Sequence, residues 1–299
     1  MFLVRTPRIV HAVIASTLLL APGVTLAEKD LVSRALATDE TQPTRSVLAA
    51  LEREVAGLDH SLDALNAHFF GASGFTPLSD STTPEGSSLA AVLANRRGTC
   101  VGLAIVYLSM ARQLGLDAHA VATPVHVFIR VRLPDRVRNV DVMEGGTELD
   151  DDIYRRRHRI DQAAIDAGVF MRDLNDDEVI AHLLSNQGVA LSKQGMTKEA
   201  LGRYKKALRL HPQLVAAWYN QGIDLMKLGK LEKALASFDT AIRLYPADAQ
   251  AHNNRGLVHA RLGNLEQAQA DFKLALRLQP DLYEAERNLR ILTSPKAPD

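Results

Sequence analysis

Between residues 47 and 70 the apolar side chains Val47, Leu48, Leu51, Val55, Leu58, Leu62 and Leu65 recur at helical spacing, which predicts one or two amphipathic helices. Gly71 to Ser88 breaks that rhythm with Gly, Ser, Thr and Pro and reads as a loop. A short helix is expected over Leu89 to Asn95, a turn at Arg97-Gly98-Thr99, and a longer helix over Cys100 to Leu114 closed by Gly115. The pattern then changes. Residues 118–133 and 137–143 are rich in Val, Ile and Phe and predict strands separated by Pro134-Asp135. Within Val125 to Val131, alternation puts the aliphatic residues on one face and His126 with Phe128 on the other, and Asp141 is opposite in parity to Val140 and Val142. A hairpin that joins the Val faces makes His126 and Asp141 share the remaining face, where a packed helix would bring Cys100 to them. Residues 147–180 are expected to form a helical bridge. Its acidic run Asp150 to Asp152 and basic run Arg155 to Arg159 read as a solvated helix face.

The back third aligns with itself. Residues 181–214, 215–248 and 249–282 superpose at a period of 34 without a gap, matching Gly188 with Gly222 and Gly256, Gly195 with Gly229 and Gly263, and Pro212 with Pro246 and Pro280. Alanines 200, 234 and 268, and 207, 241 and 275, recur in the same way. Small residues fit where two antiparallel helices cross closely, Tyr204, Phe238 and Phe272 fill the gap, and each Pro ends a second helix. The pattern resembles tetratricopeptide repeats, and residues 283–292, with Ala285, Leu289 and Leu292, read as a capping helix.

The extreme N-terminus follows a different logic. Arg5 and Arg8 precede a short apolar stretch from Ile9 to Ala21, and Thr25-Leu26-Ala27 offers a small residue for cleavage, so residues 1–27 read as a secretory signal peptide. No stretch reaches the roughly 20 apolar residues of a membrane helix, so a periplasmic or secreted protein without stable membrane insertion is expected. Lys plus Arg number 35 and Asp plus Glu 35, which gives nothing that would attract nucleic acid. The chain has one cysteine, Cys100, and so no internal disulfide.

An unpaired thiol in an exported chain is either a small buried hydrophobe or a nucleophile. Cys100 begins its helix directly after Thr99, a competent N-cap, where free backbone N–H groups and the helix dipole favour a thiolate. It also begins the stripe Leu103, Ala104, Tyr107, Met110, Ala111 and Leu114, so spacing alone fits a core residue equally well. His126 and Asp141 are each compatible with purely structural roles. Together with Cys100 they give the order thiol, imidazole, acid: an attacking group, a proton carrier and a carboxylate to orient the ring.

The stretch from Leu93 to Leu116 around Arg96-Arg97-Gly98-Thr99-Cys100, with Pro124-Val125-His126-Val127-Phe128-Ile129-Arg130 and Asn139-Val140-Asp141-Val142-Met143-Glu144-Gly145-Gly146, resembles the bacterial transglutaminase-like superfamily, in particular members whose core precedes tetratricopeptide repeats. The resemblance implies an α+β fold. A transglutaminase- or papain-like cysteine-hydrolase core over 28–146 would be followed by the bridge over 147–180, an all-α repeat solenoid over 181–292 and a tail over 293–299. It further implies Cys100 as nucleophile, His126 as base and Asp141 as orienting acid. Relatives often carry Pro-Gly-His where this chain has Pro124-Val125-His126. For the oxyanion, the Cys100 N–H is one donor; Asn95 is the nearest upstream amide but is better suited to ending its helix. Glu144 is a possible substitute for Asp141, although it reads more naturally as a turn residue.

The repeats offer a second surface. Asn186, Asn220 and Asn254 recur in register, each followed seven residues later by Lys193, Lys227 or Arg261 on the same helix face. That ladder either holds a peptide and its acidic groups in the groove or is a set of solvated repeat positions. Phosphate loops, serine elbows and paired metal-binding His are absent from the sequence, so no cofactor and no metal is expected. Two functions follow: an exported cysteine-dependent acyl-transfer enzyme acting on a protein or peptide held by the repeats, or a non-catalytic adaptor that binds its partner through them.

Overall fold

The computed structural model describes residues 31–39, 45–78 and 83–294; the expected leader 1–27 and residues 295–299 of the expected tail lie outside them. The front half opens with α1 (Leu31–Leu36), α2 (Arg45–Val55) and α3 (Leu62–Phe69), the last two forming the amphipathic pair expected from the 47–70 stripe. Ser61 caps α3 by accepting the Ala64 N–H at 3.2 Å. The expected loop 71–88 contains a two-residue strand β1 (Thr76–Pro77) and a single turn α4 (Pro84–Ser87). α5 (Leu89–Asn95) follows as predicted. The expected turn at residue 97 is instead a short strand, β2 (Arg97–Gly98), parallel to β1.

The central helix α6 (Cys100–Gln113) is buried along most of its length. It ends in a Schellman motif: Gly115, at φ +72°, donates to Arg112, and Leu116 donates to Ala111. A five-stranded antiparallel sheet of order β6-β5-β4-β3-β7 comes next, from β3 (Asp117–Ala122), β4 (Val127–Arg132), β5 (Val137–Asp141), β6 (Thr147–Glu148) and β7 (Asp173–Leu174). The stretch read as one strand over 118–133 is therefore two. Pro124 lacks an N–H, so the ladder stops at Ala122, and His126 lies in the connection, not in a strand.

Register fixes the two faces. Ile129 pairs with Val140 and Ala120, and Val131 with Ala118, so one face is aliphatic and joins the same buried cluster as α6. Phe128, paired with Val121, lies on the other face in a second cluster with Tyr154, Phe170, Val215 and Tyr245. The central helix thus covers the aliphatic face, contrary to the expectation that it would pack on the His126/Asp141 face. The reason lies in the alternation itself: only the Val/Ile/Ala side offers an unbroken apolar surface to a helix as apolar as α6.

The segment expected as a helical bridge does more. It contains α7 (Asp151–Arg157) and α8 (Gln162–Asp166), but it also supplies both edge strands, β6 and β7. Its charge runs are not simply solvated. Asp151 receives two hydrogen bonds from Arg130, at 2.7 and 2.8 Å, and Arg157 pairs with Glu144.

The repeats form as predicted: α9 (Asp176–Lys193) with α10 (Thr197–Leu210), α11 (Val215–Lys227) with α12 (Leu231–Leu244), and α13 (Ala249–Arg261) with α14 (Leu265–Leu278), then the capping helix α15 (Tyr283–Thr293). Val179, Ile180, Leu183 and Leu184 of α9 belong to the core of the front half, so the first repeat is built into it. A Cβ on Gly222 would lie 2.8 Å from the Phe238 ring, and one on Gly256 2.7 Å from Phe272, which is the close helix crossing inferred from the period.

Gly222→Ala should therefore destabilise the protein by about 1–3 kcal/mol through overpacking, although Ala is the better helix former by about 1 kcal/mol. Urea unfolding monitors this, and Phe238→Leu in the same chain should recover part of the loss.

Candidate active site

Cys100 is the first residue of α6 and is partly exposed. Thr99 occupies the N-cap position, but its side chain does not cap the helix; its hydroxyl donates to the Gly86 carbonyl at 3.1 Å. That bond fastens the turn before the thiol to α4 and leaves the first-turn N–H groups of α6 without a side-chain acceptor. Gly98, just upstream, sits where a Cβ would meet Val92 at 2.8 Å, so only glycine lets the chain pass between α5 and α6 on its way to Cys100.

His126 is set by its turn. Thr123 donates its N–H to the His126 carbonyl at 2.8 Å, and the His126 N–H donates to the Thr123 hydroxyl at 3.0 Å. The ring Nε2 is 2.9 Å from Asp141 Oδ2, and the Cys100 side chain lies near enough to the same ring to favour its charged form. With Nε2 committed to the carboxylate, Nδ1 is the nitrogen left for sulfur. The three side chains are thus brought together, by a route other than the one expected. The sulfur reaches the imidazole from the N-terminal end of a helix on the opposite face of the sheet, past the point where β4 begins.

Asp141 is almost fully enclosed, at 1% exposure, and all its acceptor sites are used. Oδ2 takes His126 and the Tyr154 hydroxyl at 3.0 Å; Oδ1 takes the N–H groups of Met143 at 2.9 Å and Glu144 at 3.2 Å. Burial pulls its pKa up, but these donors and the charge of His126 outweigh that and hold the carboxyl below its ordinary range. For His126, burial opposes the charged ring, yet Asp141 and Cys100 prevail and raise its pKa to about 9. The ring is therefore protonated at neutral pH.

Sequence reasoning missed Tyr154 and His158. Tyr154 lies on Phe128 with ring centroids 3.9 Å apart, and its hydroxyl pins Asp141. His158 stacks 6.0 Å from His126, and burial together with the His126 charge lowers its pKa, so it stays neutral beside a charged neighbour. Both project from the segment expected to be only a bridge; the residue types carried no period that pointed at β5. Asn95 ends α5 and is exposed, as its helix-ending reading foresaw. The Glu144 carboxylate pairs with Arg157, and its backbone, not its side chain, serves Asp141.

The repeat ladder is partly spent on the repeats themselves. Lys227 bonds Asp224 and Ser192, each at 2.7 Å, Asn254 donates to the Tyr219 hydroxyl at 2.9 Å, and Arg261 donates to the Met226 carbonyl at 3.4 Å. Asn186 is partly exposed and Lys193 exposed on α9. Asn220 alone of the six lines the cleft between the repeats and the His126 loop. Among the described residues, no group of three His, Cys, Asp or Glu side chains is placed to hold a metal ion, and no helix is long and apolar enough to cross a membrane.

Comparison with known proteins agrees with this architecture. A profile of the transglutaminase-like superfamily matches residues 30–185, more than half of the chain, and a profile of tetratricopeptide repeats matches residues 219–283. UPF0162 proteins of Xylella fastidiosa strains Temecula1 and 9a5c are each 31% identical over 97 residues, 32% of this chain and 34% of theirs. The match thus spans about a third of these relatives' length. Among solved structures, the first tetratricopeptide repeat of Spaghetti (RPAP3) bound to an HSP90 peptide is 28% identical, with a TM-score of 0.37 over 38% of this chain and 90% of that one. MamA from Desulfovibrio magneticus RS-1 is 27% identical, with a TM-score of 0.36 over 38% of this chain and 63% of that one.

The raised pKa of His126 has a definite consequence for stability. Its protonated ring stabilises the fold fully below the unfolded value of about 6.5, and that contribution is lost as pH rises through about 9. Melting temperature should fall between pH 7 and 10, and His126→Ala should flatten the fall. In an NMR titration the ring should titrate near 9 and shift down markedly in Asp141→Asn.

Proposed function

The chain belongs to the transglutaminase-like superfamily, and from that premise we propose that it is an exported cysteine-dependent acyl-transfer enzyme acting on a protein or peptide held by its tetratricopeptide repeats. The observation that carries the reading is the enclosed His126–Asp141 pair with a partly exposed thiol beside it at a helix N-terminus.

In this reading the Cys100 sulfur attacks an amide carbonyl, and the C–N bond breaks as His126 hands its proton from Nδ1 to the departing amine. The Cys100 N–H, free of an intrahelical acceptor, donates to the developing oxyanion. Water or an acceptor amine then attacks the thioester, giving its proton to His126, and the thiolate leaves. Asp141 keeps Nε2 engaged throughout, so the ring neither rotates nor changes tautomer. Export rests on the leader-like residues 1–27.

The reading is tested by alkylation of Cys100 with iodoacetamide at pH 7. His126→Ala should slow it by about tenfold or more, and Asp141→Asn by less, because the ion pair loses its partner or its orientation. Equal rates in wild type and His126→Ala would instead leave the adaptor function. Turnover of an amide substrate should decline above about pH 9, as His126 loses the proton the leaving amine needs, and Asp141→Asn should move that limb to lower pH. Cys100→Ala should abolish turnover without large loss of stability.

A further inference from the structure

A cleft of about 460 Å³ separates the His126 loop from the second and third repeats. One wall is Pro124, Val125 and His158; the other includes Val215, Tyr219 and Asn220. Cys100, His126 and Asp141 are not part of its lining, but it adjoins them: Val125 precedes His126 in the chain, and the His158 ring is 6.0 Å from the His126 ring. Val125 is 76% exposed, the most exposed large apolar side chain among the described residues, and it is held there by the Thr123 turn. A single exposed valine is ordinary, but this one continues the apolar lining of the cleft, so a ligand seated there would cover it.

The formal charges bordering the cleft are already engaged. Asp248 caps α13 by accepting the Ala251 N–H at 3.0 Å, and Arg159 pairs with Asp281 at 3.6 Å. Arg159 is also fixed through its carbonyl, which accepts the Tyr245 hydroxyl at 3.0 Å, so the two walls are tied at their base. What remains open is apolar surface and the carboxamides of Asn220 and of the exposed Gln250, which no hydrogen bond within the described residues occupies. A carboxamide offers both a donor and an acceptor, the pair an extended peptide unit requires.

We propose that this cleft is a specificity subsite for an extended polypeptide, taking an uncharged bulky side chain, aromatic or branched aliphatic, next to the bond that reacts at Cys100, with Asn220 holding the main chain. A charged side chain there would lose its hydration without gaining a partner. The inference rests on the acyl-transfer reading and narrows it: the repeats would contribute directly to the reacting cleft as well as holding the substrate at a distance.

The test uses the full chain and capped pentapeptides, acetyl-Gly-Gly-Xaa-Gly-Gly-amide, as competitors of iodoacetamide at Cys100. Peptides with Xaa as Phe or Leu should slow alkylation about tenfold more than those with Asp or Lys at equal concentration, a difference of about 1.4 kcal/mol in binding. Each variant is compared with its own rate without peptide. Gln250→Trp, at an exposed position lining the repeat side, should remove the Phe and Leu protection; Val125→Asp, exposed on the other side, should reverse the preference towards Lys. Asn220→Ala should weaken all peptides alike. Protection that ignores the identity of Xaa, or that survives both Gln250→Trp and Val125→Asp, overturns the subsite. Failure of the underlying reading shows separately, as alkylation without peptide that is indifferent to His126→Ala.

Discussion

The carboxylate of Asp141 organises the site because it is buried as an anion with every lone-pair direction answered. A single enclosed carboxylate with fewer donors would take up a proton, cease to favour the imidazolium and release the ring. Here two backbone N–H groups from the turn after β5, the Tyr154 hydroxyl and His126 share the charge. The turn comes with the strand and the tyrosine with α7, so the carboxylate depends on two separately folded pieces arriving together. The polarity of the site is thus a tertiary property. Neither β5 nor α7 alone would hold Asp141 ionised.

The same requirement explains why the sheet is covered on both sides. The aliphatic face needs α6, and α6 carries the thiol; the other face carries the acid and needs Phe128, Tyr154 and the apolar side chains that follow them. Arg130 links these layers by bonding Asp151 of α7, Asp173 of β7 and the Met171 carbonyl. Val215 and Tyr245 continue the second cluster into the repeats, while α9 continues the first. The repeat array is therefore anchored to both faces of the sheet, and its orientation relative to His126 follows from packing, with no flexible linker to vary it.

The elements easiest to read in the sequence were those whose pattern is local and periodic. The repeat helices follow from a period of 34 residues, and α5 and α6 from their stripes and from Gly115. Parity placed Asp141 on the face opposite Val140, but His126 lies just outside β4, and its approach to Asp141 comes from the Thr123 turn, which no period of two reveals. What parity did not reveal was which face the helix would choose, because Cys100 at the end of α6 is compatible with an approach from either side. The 147–180 segment was harder for another reason. Its edge strands are two residues each, too short for alternation to show, and the functional contact of Tyr154 is a single hydroxyl whose position depends on the fold of α7 against β5.

A site assembled from two faces has one geometric consequence for any substrate. Cys100 belongs to the layer of α6, His126 and Asp141 to the side that carries α7, and they meet where the sheet stops, at the turn that Thr123 and Pro124 make. Under the proposed reaction, the faces are filled with buried side chains and the end of the sheet is where a carbonyl would come to the sulfur. At that end the chain presents Val125 on one side and the second repeat on the other, so the solenoid forms a wall of the cleft that Val125 and His158 border. On the proposed function, fusion of repeats to this core would do more than concentrate a partner nearby: it would set the direction from which a polypeptide presents its amide, through the same apolar cluster that keeps Tyr154 on Asp141.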